Sequence, residues 1–378
     1  MKIPLFKIFH NEDDIKAITN IIKRESFWSS GKEIEEFERL IAEYIGVKYC
    51  ITFNSGGSAL FALMKAYGLN ENDEVIVPSF TFIATALAPL YVNAKPIFVD
   101  IEEENLGLDP EDIVKKITKN TKAVITVHYG GIPCKVEEIK EICEKYNLIL
   151  IEDAAEAFGA KVNNKMIGTF GNAAIFSFCQ NKIFSTGEGG CIVTNDRKLY
   201  EKLKLIRSYG RTSLGNYFEK ETDVDYVDIG YNLRLPTIQA ALGISQLKKV
   251  DKLINMRRKV AHYYNEKLKD IKGVKVLREK ENCFNVYQLY SILVENEEIR
   301  DKLMRYLEKK QIASKVYFHP CHKYSVFKKL GYDKIHLPIT EEISGKILSL
   351  PIYPHMTKKE QDYVINAIKE FMEGEYGR

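Results

Sequence analysis

The sequence predicts an α/β protein with a mostly parallel central sheet and a smaller C-terminal α+β domain. Through residue 153, short runs rich in Val and Ile alternate with longer stretches whose apolar residues recur at helical spacing. Such apolar strands joined by helices are typical of a parallel sheet covered on both faces. After Asp153 this alternation ends, because the predicted strands then follow one another without intervening helices.

The predicted elements of the first part alternate strictly. Strands are predicted at residues 48–53, 74–77, 95–100, 123–128 and 148–153. Helices are predicted between them at residues 58–67, 81–91, 110–117 and 136–146.

The later part of the chain predicts a second, smaller domain. A hairpin is predicted at residues 161–168 around Asn163-Asn164, strands at 173–178 and 190–193, and a polar loop at 213–225. Pro236 opens a helical segment that extends to about residue 269. Within it we place the boundary between a large domain, 1–245, and a small one, 246–378. The small domain is predicted to hold an antiparallel sheet, with strands at 274–277, 286–294 and 314–318 and helices at 297–310, 340–348 and 358–372.

Composition excludes several classes of protein. Lys and Arg number 55 against 52 Asp and Glu, a net charge of +3, and the two signs are interleaved, so we expect no nucleic-acid partner. The longest apolar stretches, such as residues 82–91, are shorter than the roughly 20 residues of a membrane span. The N-terminus shows no secretion signal, and the seven Cys form no C-x-x-C pair. We therefore expect a cytoplasmic protein with reduced thiols and no membrane partner.

Histidines offer no metal site by spacing, so no metal is predicted. His319 and His322 flank a Pro-Cys pair, where a substrate-side role and a surface or packing role are both open. His128 ends a predicted strand, where core packing and a supporting role near a site are equally open.

Three segments carry groups suited to chemistry, although each has a structural explanation. Residues 54–58, Asn-Ser-Gly-Gly-Ser, lie between a strand and a helix and can bind a phosphate or simply cap the helix. Asp153 closes the most apolar strand, at the strand end where open α/β sheets bind ligands, or it forms a structural ion pair. Lys182 precedes the glycine-rich turn 186–190, although most lysines are solvated surface residues.

The conjunction of these segments indicates a pyridoxal 5'-phosphate site. This cofactor needs a phosphate-binding turn, an amine that forms a Schiff base with its aldehyde, and an Asp at its pyridinium nitrogen. Lys182 supplies the amine and, once displaced, a general acid/base for moving the substrate proton. Asp153 would keep the ring nitrogen protonated, so that the ring withdraws electrons.

The chain as a whole resembles the pyridoxal-phosphate-dependent sugar aminotransferases of the DegT/DnrJ/StrS family, which have the aspartate-aminotransferase-like fold, fold type I. The resemblance extends from Gly31 to residues 350–354. Its motifs are SGGSAL at 55–60, PSFTFIAT at 78–85, IEDAA at 151–155, FSF at 176–178, Lys182, TGEGG at 186–190, GYNLR at 230–234 and TIQAALG at 237–243.

The resemblance implies a role for each matching residue. Lys182 would be the Schiff-base lysine, Asp153 the pyridinium partner, and Phe82 the ring stacked on the cofactor. The phosphate would be held by Gly56, Gly57, Ser58 and Ser177 and, from the neighbouring subunit, by Asn232. Because Asn232 would serve the other subunit's site, the resemblance implies a homodimer with shared active sites.

The chain departs from the family pattern at four positions. Many members have Thr in place of Gly57, which removes one phosphate-binding hydroxyl. Glu156 stands where many members have Gln, so a carboxyl group would contact the ring hydroxyl. Cys179 stands where many members have His or Tyr, and Tyr209 stands where His is common. Neither change removes an essential chemical group.

By this resemblance we expect an aminotransferase that moves an amino group from an amino acid, expected to be glutamate, to a nucleotide-linked keto-sugar. One alternative is a sugar dehydratase of the same family, which has His in place of the Schiff-base lysine, unlike Lys182 here. The other is a non-catalytic regulatory protein on the same fold, which would not require an imine-forming lysine.

Overall fold

The computed structural model describes residues 1–212 and 224–376. Strands and α-helices alternate along the first part of the described chain and mix in the last part. The strands are β1 (Tyr49–Phe53), β2 (Glu74–Pro78), β3 (Lys95–Val99), β4 (Thr121–Val127), β5 (Ile149–Asp153), β6 (Lys161–Val162), β7 (Lys165–Met166), β8 (Ala173–Ser177), β9 (Gly190–Thr194), β10 (Lys275–Val276), β11 (Cys283–Phe284), β12 (Tyr290–Leu293) and β13 (Ile347–Leu350). The helices are α1 (Glu12–Lys23), α2 (Glu33–Ile45), α3 (Gly56–Ala66), α4 (Ile83–Leu87), α5 (Pro110–Lys116), α6 (Val136–Tyr146), α7 (Arg197–Arg207), α8 (Thr237–Leu247), α9 (Val250–Leu268), α10 (Glu297–Lys309), α11 (Ser325–Lys329), α12 (Pro338–Lys346) and α13 (Lys358–Tyr376).

The central sheet has seven strands in the order β1-β9-β8-β5-β4-β2-β3. The pairs β2–β3, β2–β4, β4–β5 and β5–β8 are parallel, whereas β9 runs antiparallel to both of its neighbours. The prediction of a mostly parallel sheet is therefore confirmed. Because the parallel strands end at one edge, the polar residues that follow them are brought together there.

Side chains alternate between the two covered faces of this sheet. In β4, Val124 packs into one buried cluster with Ile139 of α6, while Ile125 packs into another with Leu60 of α3. Burial on both faces explains why these strands have near-continuous apolar sequences. By the same alternation, Glu152 and Asp153 at the end of β5 face opposite sides of the sheet.

Two smaller sheets complete the described fold. Strands β10, β12 and β13 form an antiparallel sheet, as predicted for the C-terminal part. Strands β6 and β7 form the predicted hairpin, whose turn residues Asn163 and Asn164 have φ values of 49° and 64°, typical of a type I′ turn. Strand β11 pairs with β6 and ties the hairpin to the C-terminal part. The division at residue 245 stays a prediction.

Several element boundaries differ from the sequence-based prediction. The helix predicted at 340–348 ends at Lys346, because Ile347–Leu350 pairs with β12 as a buried strand. Residues 314–318 form no strand; only Lys315 makes an isolated bridge, to Ser349. The helical segment predicted from Pro236 to about residue 269 is divided between Leu247 and Val250 into two helices.

One other predicted element is also shorter. The helix predicted at 81–91 is interrupted at Ala88, before Pro89, whose ring cannot continue an α-helical hydrogen-bond pattern. The polar loop predicted at 213–225 falls mostly on residues 213–223, which lie outside the described residues.

Glu360 connects the N-terminal segment to the start of α13. Its carboxylate accepts hydrogen bonds from Lys7 Nζ (2.9 Å), Tyr353 Oη (2.9 Å), and the backbone N–H (2.8 Å) and Oγ1 (2.9 Å) of Thr357. Burial raises the pKa of Glu360, but these donors outweigh it and lower the pKa to about 2, from 4.5. The folded state therefore favours the ionised form.

We predict that Glu360→Gln lowers the free energy of unfolding near neutral pH by roughly 1–2 kcal/mol. A carboxyl whose pKa is lowered by folding contributes stability above pH 4.5 and loses it as the pH falls toward 2. The difference between wild type and variant should therefore close over that range in urea unfolding at a series of pH values. Glu71→Gln, at an exposed position, is the control; a pH-independent difference for Glu360→Gln would contradict the prediction.

Candidate active site

Residues predicted for the cofactor meet at the carboxyl edge of the central sheet. Asp153 and Ser177 are the last residues of the adjacent parallel strands β5 and β8. Gly190, the first residue of β9, pairs with both Ser177 and Phe53, the last residue of β1. The segment that follows β1 therefore begins beside Ser177, and Lys182 follows β8 in the next turn.

The N-terminus of α3 lies beside Ser177. Ser55 caps this helix: its Oγ accepts the Ser58 N–H at 3.0 Å and lies 2.9 Å from Ser58 Oγ. The first-turn N–H groups of Gly56 and Gly57 have no acceptor among the described residues, so they are free to bind an anion. A Cβ on Gly56 would lie 3.2 Å from Ser177 Cβ, and one on Gly190 only 2.6 Å from Gly56 N. Glycine at both positions permits this close approach.

Gly57 differs from these two glycines. A Cβ at this position would meet only Ala84 Cβ and Ser55 Oγ, both at 3.9 Å, an ordinary contact distance. The chain therefore has room for the Thr of many family members, and the loss of that hydroxyl is not imposed by packing.

Asp153 is buried and hydrogen-bonded on both carboxylate oxygens. Thr85 donates to Oδ2 at 2.6 Å, and the Ala155 N–H donates to Oδ1 at 3.2 Å. Burial is the largest influence and raises the pKa of Asp153, while the Thr85 and Ala155 donors and the charge of Lys182 act in the opposite direction. An ionised Asp153 depends on these donors.

Lys182 lies beside a second carboxylate. Its Nζ is 3.5 Å from Glu156 Oε1, and the two side chains are only 14% and 8% exposed. The Gly130 N–H donates to the other oxygen, Glu156 Oε2, at 2.9 Å. A lysine this enclosed, with one carboxylate partner, is not the solvated surface residue that its sequence alone permits.

Phe82 and Asn232 are placed differently from the rest. Phe82 is 62% exposed at the start of α4, so a ring face is available for stacking, with the nearest aromatic ring, Phe318, 6.5 Å away between centroids. Asn232 is exposed and pairs with Ser208 in an isolated bridge. Within the described residues, no hydrogen bond or ring contact joins Asn232 to the other predicted site residues of its own chain.

Glu152, which the sequence analysis assigned no role, is the most completely bonded carboxylate near the site. Its oxygens accept the backbone N–H groups of Gly168, Phe170 and Gly171, each at 2.8 Å, and His128 Nε2 lies 3.2 Å away. Burial raises the pKa of Glu152, but these donors outweigh it and lower the pKa. Because the Cys134 N–H donates to His128 Nδ1 at 3.2 Å, the imidazole donates from Nε2 to Glu152.

The two histidines that flank the Pro-Cys pair differ in burial. His322 is fully buried, with Nδ1 2.7 Å from Ser79 Oγ and Nε2 3.2 Å from Glu341 Oε1, while His319 is exposed. Among the described residues no group of three or more His, Cys, Asp or Glu has the arrangement of a metal site. The same residues include no helix long and apolar enough to cross a membrane.

Comparisons with known proteins bear on the family and the fold. The family model described as the DegT/DnrJ/EryC1/StrS aminotransferase family matches residues 9–369. The chain is 38% identical over 349 residues to a protein of Escherichia coli O157:H7 named GDP-perosamine synthase, covering 92% of this chain and 93% of that protein. It is 34% identical over 363 residues to the dTDP-3-amino-3,6-dideoxy-alpha-D-galactopyranose transaminase of Aneurinibacillus thermoaerophilus, covering 95% and 96% of the two chains. The solved structure of Helicobacter pylori PseC, described as an aminotransferase involved in the biosynthesis of pseudoaminic acid, matches with a TM-score of 0.93 at 30% identity over 99% of this chain and 100% of PseC.

We predict that Glu152→Gln lowers the free energy of unfolding by about 3 kcal/mol, because an amide NH₂ would face backbone N–H donors and leave them unsatisfied. Glu141→Gln, at an exposed position in α6, should change it by less than about 0.5 kcal/mol. Urea unfolding followed by intrinsic fluorescence measures both variants. Equal stability of Glu152→Gln and wild type would show that the four donors do not require a carboxylate.

Proposed function

Because the chain belongs to the DegT/DnrJ/EryC1/StrS aminotransferase family, we propose that it moves an amino group from an amino acid, expected to be glutamate, to the keto carbon of a nucleotide-linked sugar. It is a pyridoxal-phosphate-dependent aminotransferase, as its family implies. The observation that carries the proposal is that enclosed Lys182, buried Asp153 and the free N–H groups at the start of α3 converge at one sheet edge. The substrate class is supported by the relatives named for GDP-linked and dTDP-linked products.

The residues of this edge fit the cofactor. Unpaired N–H groups of Gly56 and Gly57, with the hydroxyls of Ser58 and Ser177, suit a phosphate at a helix N-terminus. Phe82 offers an exposed aromatic face for a ring. The unpaired N–H groups suit the phosphate of pyridoxal phosphate, the exposed ring of Phe82 suits its aromatic ring, and the buried carboxylate of Asp153 suits its ring nitrogen.

When bound, pyridoxal phosphate supplies an aldehyde that links to amines and a ring that withdraws the electrons left when a Cα–H bond breaks. Asp153 would accept the N–H of the protonated ring nitrogen and stabilise its positive charge. Lys182 would hold the aldehyde and, once displaced by the donor's amine, would act as the base that moves the proton at the substrate's Cα.

Glu156 complements the charge of Lys182. With its nitrogen 3.5 Å from Glu156 Oε1, the released lysine has an acceptor that stabilises its ammonium form. The Gly130 N–H fixes the other carboxylate oxygen, which limits rotation of Glu156. Glu156 can therefore orient Lys182 as well as contact the ring hydroxyl of the cofactor.

We also propose that the active form is a homodimer. An unusual number of apolar side chains is exposed near Asn232: Ile229 is 70% exposed, Tyr226 56% and Val227 54%. An exposed apolar patch of this kind marks an interaction surface. If a second copy covers it, Asn232 lies at the interface, as its proposed role toward the partner's phosphate requires.

The seven cysteines are all free thiols, and five of them are buried. Thiols persist in a reducing compartment. This supports the cytoplasm as the proposed location of the enzyme.

We predict that wild type incubated with pyridoxal phosphate shows a visible absorbance band, which Lys182→Ala lacks and glutamate bleaches. Borohydride reduction followed by peptide mass analysis should place the cofactor's mass on Lys182, because this amine is the enclosed one at the site. Lys165→Ala, at the exposed hairpin turn, is the matched control and should keep the band. Absence of the band in wild type would contradict the enzyme proposal, and a band unchanged by glutamate would indicate another donor.

We predict that Lys182→Ala and Asn232→Ala complement each other when they are co-expressed with different tags and purified as a mixed dimer. One of the two sites would then have Lys182 and the partner's Asn232 both intact, so about half of the wild-type activity should return. The mass in solution should be twice the chain's 43.5 kDa. If Asn232 serves its own chain, both mixed sites are defective and no activity returns.

A further inference from the structure

We propose that the hydroxyl groups of Thr81 and Thr85 form a directed relay that keeps Asp153 ionised and oriented, which makes both threonines positioning residues. The inference rests on the proposed role of Asp153 toward the cofactor ring. Neither threonine was singled out by the sequence analysis, and neither is expected to touch substrate or cofactor.

The direction of the relay follows from counting protons. Thr85 Oγ1 lies 2.6 Å from Asp153 Oδ2, a distance typical of a hydroxyl donating to a carboxylate. A hydroxyl has one proton, so Thr85 cannot also donate to Thr81, whose Oγ1 is 2.9 Å away. Thr81 is therefore the donor in that contact, and both O–H dipoles point toward the carboxylate.

Because the three side chains are buried, the two hydroxyls have a larger effect on the charge of Asp153 than they would have in water. Thr81, Thr85 and Asp153 are 2%, 1% and 5% exposed, so water does not compete for their hydrogen bonds. Burial alone favours the neutral form of the carboxyl group. In such surroundings a hydroxyl that donates to the carboxylate stabilises its charge more than it would in water, and a second aligned hydroxyl strengthens the first.

The local fold holds the two hydroxyls in line. Thr81 lies two residues before α4 and Thr85 lies in its first turn, and the 2.9 Å distance between their hydroxyl oxygens shows that the two side chains meet on one side of this turn. Their segment is anchored by Cys321, whose N–H donates to Ser79 O at 2.8 Å and whose Sγ–H donates to Thr81 O at 3.4 Å. Phe82 lies between the two threonines, so one short segment positions both the exposed ring and the relay.

An ionised Asp153 distinguishes a ring that carries an N–H from one that does not. We therefore propose to measure dissociation constants of apoprotein for pyridoxamine phosphate, which does not link covalently to lysine, and for its analogue with C–H in place of the ring nitrogen. Wild type should bind the natural ring more tightly. The ratio of the two dissociation constants, analogue over pyridoxamine phosphate, measures this preference. Thr85→Val, which keeps the shape of the side chain but removes the hydroxyl, should lower the ratio on the order of tenfold.

Two further variants separate the relay from packing. Thr85→Ser retains the donor and should restore the wild-type ratio. Thr126→Val is the matched control: Thr126 is a fully buried threonine on β4, and its Oγ1 lies 3.1 Å from Cys134 Sγ rather than near Asp153. It should leave the ratio unchanged. Thr81→Val should shrink the ratio about threefold through loss of the second dipole.

The outcomes separate this inference from the proposed function. A ratio in Thr85→Val equal to that of wild type overturns the relay while leaving the cofactor site intact. If wild type binds neither compound, the proposed function fails and the relay fails with it. If Thr85→Val does not fold, the test uses Thr81→Val instead. A lower ratio in Thr81→Val that Thr81→Ser restores supports the relay, and a ratio equal to that of wild type overturns it.

Discussion

The buried negative charge of Glu152 organises the edge of the sheet on which the site is built. Its four donors come from two separate places in the chain, the turn 168–171 and His128 at the end of β4. A buried charge is tolerated only when it is compensated in this way, so both segments must close on the end of β5. The turn after His128 then delivers the Gly130 N–H to Glu156, and Glu156 contacts Lys182. The position of Lys182 is thus connected, through Glu156 and the turn after His128, to the buried carboxylate of Glu152.

Three carboxylates lie within five residues of each other, yet each has its own set of donors. Glu152 is held by backbone N–H groups and an imidazole, Asp153 by a hydroxyl and one N–H, and Glu156 by one N–H and an ammonium group. Like charges this close disfavour one another. Separate donor sets, and the alternation that turns Glu152 away from Asp153, reduce this repulsion.

Sequence patterns located the main groups because they depend on strand ends. The apolar runs before Asp153 and Ser177 predict buried strands, and parallel strands end at one edge, so proximity follows from topology. The Thr85 contact could not be predicted, since it joins side chains 68 residues apart whose direction is set by tertiary packing. Residues 347 and 348, the first half of β13, were assigned to the preceding helix because a short apolar run adjoining a helix has no distinguishing period. The two-residue strand β11 is too short to produce a sequence pattern, and no strand was predicted there.

The insertion of β9 between β1 and β8 has a consequence for the order in which the protein is made. Strand β1 pairs with β9 alone, so a chain emerging from the ribosome carries an unpaired apolar strand until residue 194 has been synthesised. Such long-range pairing is slow, and exposed strand edges attract other chains. Gly190 can lie against Gly56 only after β9 has been synthesised, so this close contact at the start of α3 is absent from the nascent chain. Cofactor capture must follow completion of the sheet, and a ligand bound only by the finished fold then shifts the folding equilibrium toward it.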